Sequence, residues 1–550
     1  MRLRRAITTD VRVHAPAASV VAVHSAAPGS VERVGVELVA EPDAPGWWSG
    51  SFEAPAGHHY WLTVDGRGPV VDPSCRDLVR AADGWVSVVR APWQRRVQAA
   101  PLASGPVVYE AHVKGFGGSY LGCIERLDHV VSVGANVLEL MPVHPFDDST
   151  NYWGYMPLVW GAVHRGYATD PDRAAEELAA LVSAAHERDV HVWLDVVFNH
   201  LDDTVEADTS GGPGALDPTG FYRRHPNGSL HNDSGCGNDV QPRSPWARHL
   251  VIEALERYAD LGVDGFRFDL ASLLTRDGGG LVTRITEWAA ARGVALVAEP
   301  WDMGGYQLGH GWPWPTWLQW NDRFRDDVRS FLRGEPGTVR AIRQRVQGST
   351  DLFGPDGPTR TLNFVTAHDG LTMYDLTTST DSRHRSWDCG PELRVQQLRN
   401  YFTMLLLAAG TPMWVMGDEF GRTQGGNDNP YDIDSELTWV DWSRAEQFDE
   451  LTSYVRELVA LRKRHQRVRF SFHGVGPRID EGYDSHSIAW CADDLYVMAN
   501  AWWEPLAFGL HEPGDWRVVL STAAPTEVST SGATLQPRSI VVWERSPATD

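Results

Sequence analysis

Gly265-Phe266-Arg267-Phe268-Asp269 and, further along, Val297-Ala298-Glu299-Pro300-Trp301-Asp302 decide the reading of this chain. Each sets an acid at the end of a short apolar run that reads as a buried strand. On a parallel barrel sheet, strand ends are where chemistry is assembled. Two carboxylates delivered in this way meet the minimum requirement for cleaving a glycosidic bond. An isolated Asp or Glu is usually a solvated surface group. The apolar setting and two further matching strand ends set this pair apart.

Working outward, further apolar strands read at 107–113, 136–143, 191–198, 317–321, 361–367 and 412–417, beside 265–269 and 295–299. Helical stretches fall between them at about 121–134, 171–189, 244–260, 281–292, 323–333, 392–408 and 445–464. Eight apolar strands, mostly separated by amphipathic helices, predict an α/β fold, a (β/α)8 TIM barrel rather than an open doubly wound sheet. Insertions after the second strand (about 144–170) and the third (about 201–243) are rich in aromatic, Gly, Asn and Asp residues. Long βα loops of this kind form binding surfaces. Ahead of the barrel, short alternating runs such as Val31–Val39 and His59–Val64 predict an N-terminal β-sandwich, with Pro92–Pro106 as linker. Alternation returns in Ser487–Cys491, Leu495–Ala499, Trp516–Leu520 and Ser539–Trp543, which predicts a C-terminal β-sandwich. The expected domains are 1–98, the barrel 99–465, and 466–550.

At 550 residues the chain exceeds one ordinary domain and can bury a large core. A net charge of −23 disfavours nucleic acid and anionic membranes as partners and suits an uncharged substrate. Twenty-four Trp fit either sugar stacking or large cores. Cys75, Cys123, Cys236, Cys389 and Cys491 are scattered and odd in number, against both a disulfide framework and a zinc site. No apolar run approaches the ~20 residues of a membrane span. The start of the chain, Met1-Arg-Leu-Arg-Arg, is basic, but Thr8, Thr9, Asp10 and Arg12 interrupt any secretory apolar stretch, so the expected location is cytoplasmic. The sequence carries no signal of oligomeric state.

Four segments end barrel strands in order: Asp195-Val-Val-Phe-Asn199-His200, Gly262-Val-Asp-Gly-Phe-Arg267-Phe-Asp269, Glu299-Pro-Trp-Asp, and Val365-Thr-Ala-His368-Asp369. With these, the chain resembles the α-amylase superfamily of retaining glycoside hydrolases, glycoside hydrolase family 13. Within it the match is to isoamylase and bacterial glycogen-debranching enzymes. That finer match rests on Tyr109-Glu-Ala-His-Val-Lys-Gly, Asn151-Tyr-Trp-Gly-Tyr155, Ala298-Glu-Pro-Trp-Asp-Met-Gly-Gly-Tyr306, Gly410-Thr-Pro-Met and Gly417-Asp-Glu-Phe-Gly-Arg-Thr-Gln424. The resemblance spans about 105–443, and the N-terminal sandwich is similar to the carbohydrate-binding-like module of such enzymes.

The resemblance implies Asp269 as nucleophile, Glu299 as general acid/base, and Asp369 as the group that grips sugar hydroxyls and stabilises the transition state. It also implies substrate contacts from Trp153, Tyr155, Asp195, His200, Arg267, Trp301 and His368. Tyr155 would stack beneath the sugar at the cleavage point, and His200 and His368 would donate hydrogen bonds around it. Arg267, two residues before Asp269 on one strand, projects to the same side and is expected to hold that carboxylate ionised. Glu299 must be protonated, and the charges of Asp269 and Asp369 are expected to raise its pKa. The chemistry needs no cofactor, and the substrate expected is an α-glucan polysaccharide or oligosaccharide.

Other signals are weaker. His186-Glu187-x-x-x-His191 has one residue too many for a zinc helix. Gly115-Phe-Gly117-Gly lacks the third Gly of a dinucleotide loop. Asn199, at a position where some α-amylases bind calcium, is expected only to fix a loop. Two departures, a short segment from Gly370 to Arg385 before Trp387-Asp-Cys-Gly390 and the bulky Met156-Pro-Leu-Val-Trp-Gly, alter the cleft wall and bear on branch-length preference. The rival readings are a trehalose-releasing hydrolase of malto-oligosyltrehalose, another α-glucan hydrolase or transglycosylase, and a non-catalytic glucan-binding subunit.

Overall fold

A computed structural model describes residues 6–82, 84–203 and 212–546. The basic start of the chain and 204–211, within the insertion after the third barrel strand, lie outside the described residues.

Eight strands close into a barrel in chain order: Val108–Ala111, Val137–Leu140, His191–Val196, Gly265–Phe268, Ala295–Ala298, Leu318–Asn321, Thr361–Phe364 and Thr411–Val415. All eight expected strands are present, each within three residues of its expected start. Each consists mostly of residues buried on both faces, which is why no polar alternation marks them in the sequence. The register pairs Asp195 with Arg267 and Arg267 with Val297. Because in-register residues of parallel strands face the same side, this places the Asp195 and Arg267 side chains together.

Helices cover the strands. Pro245–Asp260 starts at Ser244, whose hydroxyl accepts from the Ala247 N–H, with Pro245 in the first turn. Its buried stripe includes Trp246, Leu250, Val251, Ala254, Leu255 and Tyr258. The expected helix at 121–134 is instead Tyr120–Ile124 and Leu127–Ser132, preceded by Val113–Gly117. Gly118 breaks the run in a left-handed conformation and Ser119 caps the next helix. Val339–Val346, between the sixth and seventh strands, is a helix that the sequence reading omitted.

The N-terminal region forms two sheets, one of three strands and one of six. Phe52 from the first packs against Tyr60 from the second, ring centroids 5.3 Å apart. The C-terminal region has a five-stranded and a three-stranded sheet. Tyr496, Met498, Phe508, Leu535, Val541 and Trp543 form their shared core. Trp193, Trp246, Trp312, Trp317, Trp414, Trp490 and Trp543 are fully buried, and Trp439 and Trp503 are the exposed tryptophans among the described residues. The wealth of Trp therefore serves cores first, at ~1.5–3 kcal/mol for a large apolar side chain taken out of water.

By its contacts the chain forms two compact units. One comprises Met1–Pro101, His112–Leu127 and Glu139–Gln307; the other comprises Leu102–Ala111, Asp128–Leu138 and Leu308–Asp550.

Candidate active site

In the first unit, the fourth and fifth barrel strands end in the two acids. Gly265 opens the fourth strand because a Cβ there would lie 2.4 Å from the Trp193 ring. Phe266 and Phe268 are fully buried, while Arg267 projects to the other side of the strand. The ladder runs on past the strand ends: Asp269 N–H donates to Val196 O at 3.0 Å and Glu299 N–H to Phe268 O at 3.1 Å. Leu270 then turns left-handed, φ +40°. That turn aims its N–H at Glu299 Oε2, 2.9 Å away. A left-handed non-glycine residue costs roughly 1–2 kcal/mol, a strain that clusters at functional turns.

Arg267 is the hub. Its Nη1 donates to Asp195 Oδ2 at 2.8 Å and Oδ1 at 3.0 Å, and to Asp269 Oδ1 at 3.2 Å. Its Nη2 donates to Glu299 Oε2 at 2.8 Å. Burial works against the guanidinium charge, but Asp195 and Glu299 outweigh it and the Arg267 pKa goes up. One cation thus serves three carboxylates. Glu299 is pushed up to about 7, first by burial, opposed by Arg267 and reinforced by Asp269. The sequence reading named only neighbouring charge as the cause; burial is larger, and Asp195 adds to the raising effect of Asp269. Both donors to Glu299 fall on Oε2, so a proton on this group belongs on Oε1.

Asp269 receives a second donor from the opposite side. Asn199 Nδ2 donates to Asp269 Oδ2 and to its carbonyl, each at 2.8 Å. Asn199 therefore positions the carboxylate itself, beyond the loop-fixing role expected of it. His200 is buried; its Nε2 faces Tyr155 O at 2.6 Å and its Nδ1 faces Asn199 Oδ1. Both ring nitrogens thus meet protein oxygens, where the sequence reading aimed the ring at a sugar. Burial lowers the His200 pKa, against a raising effect of Asp269.

Tyr155 donates to Asp195 Oδ2 at 2.5 Å. Its ring stands edge-on to Trp153, centroids 6.3 Å apart, beside the buried Met141 and Tyr152. Gly154 between them is left-handed (φ +91°), and a Cβ would meet Pro142 O at 3.0 Å. Trp301 lies on a small hairpin, paired with Tyr306 and stacked on it at 6.3 Å. Asp302 anchors that hairpin through Arg276 at 2.6 Å and Ser272 at 2.5 Å.

In the second unit, His368 and Asp369 follow the seventh strand. Glu110 accepts from the His368 N–H at 2.9 Å, and His368 Nδ1 lies 2.7 Å from Glu110 Oε1. Asp369, the next residue, is exposed. Glu110 sits in the Tyr109-Glu-Ala-His motif and was not singled out from sequence; its burial at a strand end was the available signal.

Two groups of side chains among the described residues have metal-like spacing, His231/Asp233/Asp239 and Asp381/His384/Asp428. Each already holds a guanidinium: Arg223 donates to Asp233 and Asp239, Arg383 to Asp381 and Asp428. His186 and His191 also have separate partners, Asp264 Oδ2 at 2.8 Å and Ala100 O at 2.9 Å.

A closed eight-stranded barrel whose fourth and fifth strands deliver an Asp and a Glu to one buried arginine is the architecture of a barrel enzyme. A family model described as α-amylase, catalytic domain, matches residues 81–227. A pullulanase from Anoxybacillus sp. LM18-11, solved with maltotriose, superposes with a TM-score of 0.84 over 98% of this chain and 84% of its own, at 23% identity. Among curated sequences, the isoamylase SU1 of Zea mays is 32% identical over 80% of this chain and 68% of its own. The glycogen operon protein GlgX homolog of Mycobacterium tuberculosis is 35% identical over 72% of this chain. The chain spans 63% of the length of that mycobacterial relative. The chain belongs to the α-amylase family, in the branch that holds the isoamylases and the glycogen-debranching proteins.

Proposed function

We propose that the chain is a retaining glycoside hydrolase that cleaves α-1,6 branch linkages of glycogen or related α-glucans. The observation that carries this reading is Arg267 shared among Asp195, Asp269 and Glu299, with burial holding a proton on Glu299 up to about neutral pH. Asp269, fixed by donors from Arg267 and Asn199, attacks the anomeric carbon as the bond to the 6-oxygen breaks. Glu299 passes its Oε1 proton to that departing oxygen. The same carboxylate then takes a proton from water, which attacks the anomeric carbon and releases Asp269.

Asp369 takes the third role, gripping sugar hydroxyls; its place after the seventh strand and the family resemblance support it. Tyr155, Trp153, Trp301 and His368 line the glucan, while Asp195 acts through Arg267 and Tyr155. The sequence domains 1–98, 99–465 and 466–550 and a cytoplasmic location complete the proposal. Among the described residues no helix is long and apolar enough to cross a membrane. The substrate class draws support from relatives named glycogen debranching enzyme and isoamylase.

The test is product analysis on glycogen, pullulan, amylose and malto-oligosyltrehalose. Linear maltodextrins released from glycogen, with amylose untouched, are expected. Free trehalose from the last substrate would replace this reading with a trehalose-releasing hydrolase, and retained glucan binding without turnover would replace it with a binding subunit.

A further inference from the structure

A cavity of about 390 Å³ lies where residues 76–77 of the N-terminal sheets, the segment 90–96 and the barrel elements around 163–179 meet. Val163, Ala179 and Leu261 give it an apolar wall, and Trp93 forms part of its lining, its ring centroid 6.1 Å from that of Tyr258. Its charges divide into two sets. Asp77 and Asp172 are both clamped by Arg90 and Arg165, in contacts of 2.5–2.8 Å, so those four groups neutralise one another.

Arg76 and Arg96 form the second set. Neither guanidinium has a hydrogen bond or ion pair within the described structure. Every acid near Arg76 is already committed. Glu253 accepts from Arg257 at 2.6 Å and from Ser74 Oγ at 2.9 Å. Asp72 accepts from Tyr60 at 2.8 Å and from the Ser74 N–H at 2.9 Å. Burial, followed by Arg257, lowers the Arg76 pKa against the raising effects of Glu253, Tyr60 and Asp72, and this half-buried cation sits in the cavity wall without an acid bonded to it. Glu176, exposed at the rim, is the remaining acid of the lining. In a chain of net charge −23, two arginines around one cavity with no acid bonded to either are a departure that solubility does not account for.

We propose that this cavity binds a small phosphorylated sugar, with the phosphate on Arg76 and Arg96 and a C–H face of the sugar on Trp93. A guanidinium presents paired N–H donors that match phosphate oxygens, and a flat indole accepts the apolar face of a pyranose. The ligand would bridge the N-terminal sheets, the connecting segment and the barrel, so its binding free energy adds to their association. This site shares no lining residue with the acids described above, and its failure would leave the catalytic reading intact.

The experiment is titration calorimetry on the full chain carrying Asp269→Asn, using glucose 6-phosphate, inorganic phosphate and glucose as probes, with and without saturating maltotriose. Glucose 6-phosphate is expected to bind tightest and to be insensitive to maltotriose. Arg76→Gln is expected to weaken it about tenfold or more, as loss of a charge-assisted contact should. Trp93→Ala should weaken it several-fold while leaving inorganic phosphate unchanged. Arg96→Gln, on an exposed side chain, gives an independent reading should Arg76→Gln disturb folding. Equal affinity for glucose and glucose 6-phosphate, inorganic phosphate binding as tightly as the sugar phosphate, competition by maltotriose, or indifference to both arginine substitutions would each overturn the proposal. So would absence of binding at millimolar concentration.

Discussion

Two buried acidic clusters in this molecule are built on opposite principles. Around Arg267 one cation is divided among Asp195, Asp269 and Glu299. In the second unit each acid has donors of its own. Glu110 takes two contacts from His368; Asp418 takes Thr366 at 2.5 Å and the Met373 N–H at 3.0 Å; Glu419 takes Tyr109 at 2.9 Å and His129 at 2.6 Å. Burial pushes both Glu299 and Asp418 up to about 7. The shifted value alone therefore does not mark a site. What separates the two is access: Asp418 is wholly enclosed, whereas Asp269 beside Glu299 keeps 13% of its side chain exposed. A proton that can reach substrate is usable, and one sealed in the core affects only stability.

The largest test of this contrast is removal of the accessible acids. Asp269→Asn and Glu299→Gln are each expected to cut kcat on glycogen by about 10³-fold or more with an unchanged far-UV spectrum. Near-normal turnover in either variant would break the comparison. Next is Arg267→Lys, since one ammonium cannot serve three carboxylates in the same geometry; kcat/KM should fall about 10²-fold. Losing the Nη2 contact should also move the Glu299 titration upward. The wild-type rate should decline as pH rises through about 7, because the protonated form of Glu299 is the active acid. A Glu299-dependent limb that stays fixed in Arg267→Lys would count against the hub.

The smallest effect belongs to the sealed cluster. Asp418 keeps its proton in the native state up to about 7, while the unfolded chain loses it near 3.8. The native state therefore binds more protons across that window, and this group's contribution to stability falls as pH rises from about 4 to 7. Asp418→Asn should flatten the slope of denaturation midpoint against pH over that range and leave the pH–rate profile in place. A displaced rate profile would show that the two clusters are not separable in this way.

The barrel was legible because its strands are continuous apolar runs ending in acids, and Gly265–Asp269 carries both signals in five residues. The break at Glu125 and Arg126, inside the helix expected at 121–134, has neither Gly nor Pro to mark it in the sequence. Val339–Val346 was missed because an eight-residue segment gives too few turns for its buried stripe of Val339, Ile342 and Val346 to stand out among arginines. At the site, residue identities were readable and their partners were not. That Asn199 holds Asp269, or that both nitrogens of His200 meet protein oxygens, depends on loop paths that bring separate segments together. The dominance of burial in the Glu299 shift is likewise a property of packing, which local sequence does not encode.

The turn at Leu270 has a consequence for how this protein tolerates change. Its contact with Glu299 is made by the main chain, so side-chain drift at position 270 does not delete the donor. Glycine there would even relieve the left-handed backbone, and among the encoded residues only proline lacks the N–H altogether. The fixation of the proton-bearing carboxylate is in this way insured against most single-codon accidents at its nearest neighbour, while the arginine that shares it has no such protection.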